Sequence, residues 1–107
     1  MRRLSLVVLL CLALGGAAFG QSASATVSGT ISDATNAVLP GVRVTATNNG
    51  TAVVTSVLSN ESGAYTLPSL LPGAYTVSAE LPGFQKQTYT NVQLGNAERV
   101  RLNFSLA

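Results

Sequence analysis

The stretch from Asn60 to Val77 constrains the fold more than any other part of the sequence. It contains two short segments that each begin Gly-Ala-Tyr-Thr, and after the leucine that follows the first segment, five residues that begin and end with proline precede the second. Glycine adopts positive φ at turns without a steric penalty, so Gly63 and Gly73 each predict a turn that leads into a strand. After each glycine, a tyrosine and an aliphatic residue two positions later share one face of that strand. The pattern therefore predicts corners of a β-sheet and carries no reactive group.

The aromatic residues beside these glycines are expected in the core. Tyr65, Tyr75 and Phe84 lie in phase with neighbouring aliphatic residues, so we expect their rings to pack inward and the tyrosine hydroxyls to reach main-chain groups. Gly41 and Gly83 each follow a proline and predict two further turns.

The N-terminus has the order of a secretory signal peptide: a basic start, an apolar run from Leu4 to Leu14, and then small residues. The apolar run is shorter than the ~20 residues that span a bilayer. We predict a signal peptide over 1–20 cleaved between Gly20 and Gln21, a short linker over 21–24 and one domain over 25–107. An uncleaved anchor or a buried helix is the alternative. Export would place the mature chain, with no membrane span, in the periplasm, at the outer membrane or outside the cell.

Removal of residues 1–20 also removes two of the six basic residues, which leaves four against four acidic residues. The resulting neutral surface gives no electrostatic footprint for nucleic acid. The sequence has no histidine, and Cys11, its single cysteine, lies in the predicted signal peptide. This inventory argues against disulfides, thiolate or imidazole metal sites, and nucleophiles activated by histidine. We therefore predict no enzyme activity, no metal and no cofactor.

The mature sequence alternates apolar and polar residues in short runs, and turn signals recur about every ten residues, as in an antiparallel sandwich. Ala52–Ser59 is apolar on both parities, which predicts a central strand buried on both faces. Arg99–Leu106 alternates most clearly and predicts one final strand. Its outward residues, Arg99 and Arg101, would discourage edge-to-edge pairing.

Five motifs in the same order resemble the carboxypeptidase regulatory-like domain: Gly29–Asp33, Val38–Val42, Asn60–Tyr65, Leu71–Tyr75 and Pro82–Phe84. The resemblance covers residues 25 to 106. It implies a single seven-stranded antiparallel Greek-key β-sandwich of the transthyretin-like, or carbohydrate-binding-like, type. The sequence is most similar to such domains at the N-terminus of TonB-dependent outer-membrane receptors of the Oar type. The function that this implies is a non-catalytic interaction module of the cell envelope, with an envelope protein as its partner.

Two further sites have competing interpretations. Asp33, Thr35 and Asn36 could offer oxygen ligands to calcium, but a turn capped by the aspartate explains the same residues. Parity along Gln85–Leu94 places Gln87, Tyr89 and Asn91 on one face, away from the aliphatic face. Such a row of amides around a ring could bind a glycan, whereas a solvated strand face is the simpler interpretation. A structural spacer without a ligand is a third possible function.

Overall fold

The computed structural model describes residues 23–107, which form eight strands in two packed sheets and no helix. One sheet contains the strands β1 (Ala25–Asp33), β4 (Ala64–Leu70), β7 (Arg99–Arg101) and β8 (Phe104–Leu106). The other sheet contains the strands β2 (Arg43–Asn48), β3 (Val54–Leu58), β5 (Gly73–Glu80) and β6 (Gln87–Leu94). The predicted all-β sandwich is confirmed. The predicted signal peptide and its cleavage site at Gly20 and Gln21 lie outside the described residues.

The strand order follows from the pairing of neighbouring strands. In the first sheet β1 lies between β4 on one side and both β7 and β8 on the other. The second sheet has the order β3-β2-β5-β6, and all its pairs are antiparallel. The edges of the first sheet are β4 on one side and β7 with β8 on the other, and the edges of the second sheet are β3 and β6.

The core lies between the sheets and is built from alternate residues of the strands. In β1 and β2 every second side chain is buried, while the residues between them are half-buried or exposed. Phe104, Ile31 and Leu67 are the largest of the fully buried side chains. Each buried aliphatic or aromatic side chain contributes about 1.5–3 kcal/mol relative to exposure. Within the described residues, the buried apolar side chains lie between Ala25 and Leu106.

The final strand differs from its prediction in number and direction. It is divided into β7 and β8, which makes eight strands instead of seven, and both run parallel to β1. The division occurs at Leu102 and Asn103, where the chain approaches Gly29 so closely that a Cβ there would lie 1.9 Å from the Leu102 carbonyl oxygen. The Asn103 side chain takes over a ladder position, because its Oδ1 accepts a hydrogen bond from the Thr30 main-chain N–H at 3.0 Å.

The predicted burial of Ala52–Ser59 on both faces is also wrong. β3 lies at the edge of its sheet, with Val54 59% exposed and Leu58 63% exposed. Val57 packs partly against the core. Periodicity cannot distinguish a second buried face from an exposed apolar face, so the sequence pattern fits both.

Candidate functional site

The row of Gln87, Tyr89 and Asn91 that the sequence predicts on one outer face is not formed. Tyr89 pairs with the buried Val77, whereas Val92 pairs with Tyr75, so β6 has one extra residue between these pairs. Asn91 lies in this bulge and has a φ of 57°. The extra residue shifts the inward–outward alternation of side chains by one position. Tyr89 before the bulge and Val92 after it therefore both face inward. A bulge of this kind leaves no signal in the apolar alternation, which explains the wrong assignment.

Tyr89 instead belongs to an aromatic cluster at the side of the core. The rings of Tyr89 and Phe104 meet in an edge-to-face arrangement with a centroid distance of 5.1 Å, and the centroid of the Tyr65 ring lies 5.9 Å from that of Phe104. The Tyr89 hydroxyl donates a hydrogen bond to the Asn103 carbonyl oxygen at 2.7 Å. The half-buried ring is therefore held in place by structural contacts at its hydroxyl and with Phe104.

The side chain of Gln87 also has a structural role. Its Oε1 accepts a hydrogen bond from the Ser105 main-chain N–H at 2.9 Å. The Gln85 N–H donates to the Ala107 carbonyl oxygen at 2.8 Å. With the bond from Tyr89, these contacts form a β6–β8 seam that closes one side of the sandwich. Asn91 remains exposed and accepts a hydrogen bond from the Gln93 side chain at 2.8 Å.

A groove of about 450 Å³ lies at one end of the second sheet, where β2 begins and β3 and β5 end. We call it the corner groove. Its residues come from the turn before β2, the β2 and β5 ladder, the end of β3 and the turn between β5 and β6: Gly41, Arg43, Leu58, Glu80, Leu81, Pro82, Phe84 and Lys86. The volume lies within the range of about 300–1,000 Å³ that is usual for ligand sites.

The predicted turns position this groove. Gly41 has a φ of 71° and Gly83 a φ of 90°, and no atom lies within 4 Å of the place where a Cβ would be built on either. The Phe84 N–H donates to the Leu81 carbonyl oxygen at 3.0 Å and closes the turn between β5 and β6. Phe84 and Leu81 pack partly against the core, so they give the groove a fixed apolar wall. The sequence predicts both turns, but it does not show that they line the same groove, because their relative position depends on the register of β2 against β5.

Charged side chains border the apolar wall of the groove. Arg43 and Glu80 are directly opposite each other on the β2–β5 ladder, the arrangement in which opposite charges attract across a sheet. Lys86 adds a second cation. Two cations and one carboxylate leave the groove with a net positive charge beside exposed apolar surface. Such a surface suits a partner that offers both an apolar and an acidic group.

Tyr65 and Tyr75 are buried, and both hydroxyls donate to main-chain carbonyl oxygens. Tyr65 bonds Leu102 at 2.5 Å and Tyr75 bonds Leu71 at 2.7 Å. Burial, with a smaller contribution from nearby Tyr89, raises the pKa of the Tyr65 phenol. Gly63 has a φ of 73°, and a Cβ there would lie 2.7 Å from the Ile31 carbonyl oxygen. Gly73 begins β5, beside the buried Asn48.

Asp33 caps the turn after β1. Its Oδ1 accepts hydrogen bonds from the Thr35 N–H at 2.8 Å, the Thr35 hydroxyl at 2.7 Å and the Ala37 N–H at 3.1 Å. The bonds from Thr35 lower the pKa of the Asp33 carboxyl. In residues 23–107, no three histidine, cysteine, aspartate or glutamate side chains come close enough together to hold a metal ion. The same part of the chain contains no helix with the length and apolarity of a membrane span.

Solved structures with a similar fold come from proteins with different roles. A dioxygenase domain from a dioxygenase carbohydrate-binding protein fusion of Streptomyces sp. SirexAA-E is 17% identical, with 82% of each chain covered and a TM-score of 0.60. A putative carbohydrate binding protein from Bacteroides uniformis is 17% identical over 78% of this chain and 41% of that one, with a TM-score of 0.62. A cohesin-X-dockerin complex from Acetivibrio cellulolyticus contains a chain that is 23% identical over 77% of this chain and 56% of that one, with a TM-score of 0.59.

These likenesses show the fold alone, and the sandwich itself does not decide between an enzyme and a binding module. No curated protein matches the sequence. The family model of the carboxypeptidase regulatory-like domain does match, and it covers residues 26–107. This range contains seven of the eight strands whole and all but the first residue of β1. The protein therefore belongs to the carboxypeptidase regulatory-like domain family.

Proposed function

We propose that this protein is an exported, non-catalytic interaction module of the cell envelope. In this role it would hold or present an envelope protein, in the manner expected for the N-terminal domains of TonB-dependent receptors that its sequence resembles. The observation that carries the proposal is the corner groove, where an apolar wall with two cations and one carboxylate lies on a rigid two-sheet scaffold. Family membership supports a regulatory or binding role, and the signal-peptide pattern supports export.

The partner would contact the groove through a segment with an apolar residue beside an acidic one. The apolar residue would pack against Phe84 and Leu81, and the acidic residue would lie near Lys86. Leu58 is exposed at the rim and would be covered on binding. A charged pair at the rim chiefly increases the rate of association, whereas the buried apolar contact sets the lifetime of the complex.

The glycan alternative loses its geometric basis in the predicted residues. Gln87 and Tyr89 are hydrogen-bonded to the region of β8, and Asn91 lies in a bulge on the exposed side. The structure offers no specific observation in favour of a sugar site on these three residues. A spacer without a ligand remains the outcome expected if the groove binds nothing.

The test is co-purification of the tagged protein from detergent-solubilised envelope, with bound proteins identified by mass spectrometry. Lys86→Glu reverses the charge at the groove, and Arg101→Glu makes the same change on the outer face of the other sheet. We expect an envelope protein that Arg101→Glu retains and Lys86→Glu loses at least about tenfold. Recovery of no envelope protein would contradict the proposed function, and equal recovery by the two variants would contradict the corner groove as its site.

A further inference from the structure

Three of the four sheet edges carry features that discourage pairing with another strand. An edge strand presents unpaired N–H and C=O groups, and proteins blunt such edges with charge, proline, bulges or cover. β4 contains Pro68, followed by Ser69 with a φ of 61°. On the opposite edge of that sheet, β7 carries Arg99 and Arg101, and β8 is held in the β6–β8 seam. β6 is in the same seam and contains the bulge at Asn91.

The fourth edge, β3, has none of these features. Its sequence, Val-Thr-Ser-Val-Leu, contains no charge and no proline. Its five residues pair with β2 without a register shift. Val54 and Leu58 are exposed on its outer face, and Val53 just before it is 59% exposed. A regular, uncharged strand rich in β-branched residues is the type of edge that readily accepts another strand.

The hydrogen-bond phase shows which main-chain groups of β3 are free. The Asn48 N–H donates to the Val53 carbonyl oxygen at 2.9 Å. The Ser59 N–H donates to the Val42 carbonyl oxygen at 2.9 Å. Bonded pairs alternate along an antiparallel ladder, so the residues between these two points that also bond β2 are Thr55 and Val57. The main-chain groups that point toward the free edge belong to Val54, Ser56 and Leu58.

We propose that β3 is a self-docking edge, which pairs antiparallel with β3 of a second copy of this chain. The two-fold axis passes between the two Ser56 residues. Val54 of each copy then faces Leu58 of the other, and the three facing pairs exchange about six main-chain hydrogen bonds. The second sheets of the two copies become one continuous eight-stranded sheet, in which apolar residues meet apolar residues and serine meets serine.

The charges around β3 favour a second copy as the occupant. Two charged residues, Arg43 and Glu80, lie in the same cross-strand row as Leu58. Across the two-fold axis this row continues through Val54 and Thr47 of the other copy, which are uncharged. No like charges are therefore brought opposite each other. An interface of this kind is isologous, because each copy contributes the same patch.

A cleft between the two sheets would receive the inward side of the added strand. It has a volume of about 280 Å³, and its walls come from β3, β4 and the turn that connects them: Val57, Leu58, Asn60, Ala64, Tyr65 and Thr66. The added strand would direct its own Thr55 and Val57 over this cleft. Pairing through one short strand buries less than the ~800 Å² per partner of a standard interface, so we expect a dissociation constant on the order of 10–100 μM.

Sedimentation equilibrium of the purified protein tests the proposal, with Ser56→Lys as the disrupting variant. It places two lysines directly opposite each other at the two-fold axis, which opposes pairing. Thr45→Lys is the matched control. The Thr45 and Ser56 hydroxyls lie 3.1 Å apart, so both variants lose the same hydrogen bond and gain the same charge, but Thr45 lies one strand further from the axis. Circular dichroism and thermal unfolding establish that each variant is folded.

We expect Ser56→Lys to weaken the dimer at least about tenfold, Thr45→Lys to leave it within about threefold, and Ser56→Glu to weaken it like Ser56→Lys. A mixture of the Ser56→Lys and Ser56→Glu proteins should form heterodimers, visible by native mass spectrometry, because opposite charges then face each other. A wild-type protein that is monomeric at about 1 mM would overturn the proposal. Equal weakening by Ser56→Lys and Thr45→Lys, or a mixture without heterodimers, would also overturn it.

Discussion

At the scale of single residues, side chains replace main-chain hydrogen bonds where β7 gives way to β8. The Tyr65 hydroxyl donates to the Leu102 carbonyl oxygen, and the Asn103 side chain accepts from the Thr30 N–H. Both contacts join parts of the chain that are far apart in sequence. Together they allow a broken strand to remain attached to β1.

Tyr65→Phe keeps the buried ring but leaves the Leu102 carbonyl oxygen without this donor. We expect the free energy of unfolding to fall by about 1–3 kcal/mol, measured by denaturant titration.

A second effect of the Tyr65 hydroxyl appears at alkaline pH. Because the pKa of Tyr65 is raised above 10.0 in the fold, the unfolded chain ionises first, and stability is lost as the pH rises above that value.

Tyr65→Phe should therefore also reduce the loss of stability above pH 10. An unchanged free energy of unfolding together with an unchanged alkaline slope would show that the hydroxyl contributes nothing. The two readouts separate the hydrogen bond from the packing of the ring.

Asp33 offers a test at acidic pH. The Thr35 hydroxyl and N–H favour its charged form, so we expect its pKa, followed by NMR titration, to lie below 3.8. A depressed pKa adds stability that is present above the unfolded value and is lost as the pH falls through the folded value. Thr35→Val removes the hydroxyl and should raise the pKa of Asp33, whereas an unchanged pKa would contradict the role of that bond.

At the scale of elements, alternation and turn residues predict most strands, because each strand has one buried face and a recognisable end. Three features required knowledge of the tertiary structure. The bulge at Asn91 reverses the parity of β6 without altering the apolar pattern. The break at Leu102 depends on Gly29 of β1, which is distant in sequence but adjacent in the sheet. The edge position of β3 depends on strand order, which local sequence does not encode. The predicted outward row of Gln87, Tyr89 and Asn91 is not formed because of the first of these features, and the corner groove depends on the register of β2 against β5.

Gly29→Ala tests the close approach of β1 to the break between β7 and β8. A Cβ there would lie 1.9 Å from the Leu102 carbonyl oxygen, a main-chain atom that can move only if β7 and β8 move. We expect a loss of about 3 kcal/mol or more in the free energy of unfolding. In the control Gly50→Ala, the nearest atom to the new Cβ is 3.4 Å away, and the cost should stay below about 1 kcal/mol. Similar costs for the two variants would contradict the packing described here.

At the scale of the whole molecule, the sandwich has a closed side and an open side. The β6–β8 seam closes one side, the edge of β3 leaves apolar surface exposed on the other, and the corner groove lies at one end of the second sheet between them. Contiguous exposed apolar surface of this kind commonly marks an interaction site. Leu58 belongs to both the edge and the groove, so dimer formation and partner binding would compete for, or share, that residue.

Export is tested by the N-terminus of the protein recovered from the cell envelope. We expect mass spectrometry to identify a chain that begins at Gln21, with its N-terminal glutamine free or cyclised to pyroglutamate, because Ala18 and Gly20 provide the small residues that signal peptidase requires. Ala18→Arg should block this cleavage and leave the longer chain. Recovery of the uncleaved wild-type chain from the cytoplasm would contradict the predicted signal peptide.

The most direct test of the open β3 edge is amide hydrogen exchange by NMR at a series of protein concentrations. Thr55 and Val57 bond β2, so their amides should exchange slowly at every concentration. The amides of Val54, Ser56 and Leu58 should exchange rapidly in dilute protein and become protected as the concentration rises through the dissociation constant. Protection of these three amides that is already complete in dilute protein, or that never appears, would contradict an open edge that pairs with a second copy.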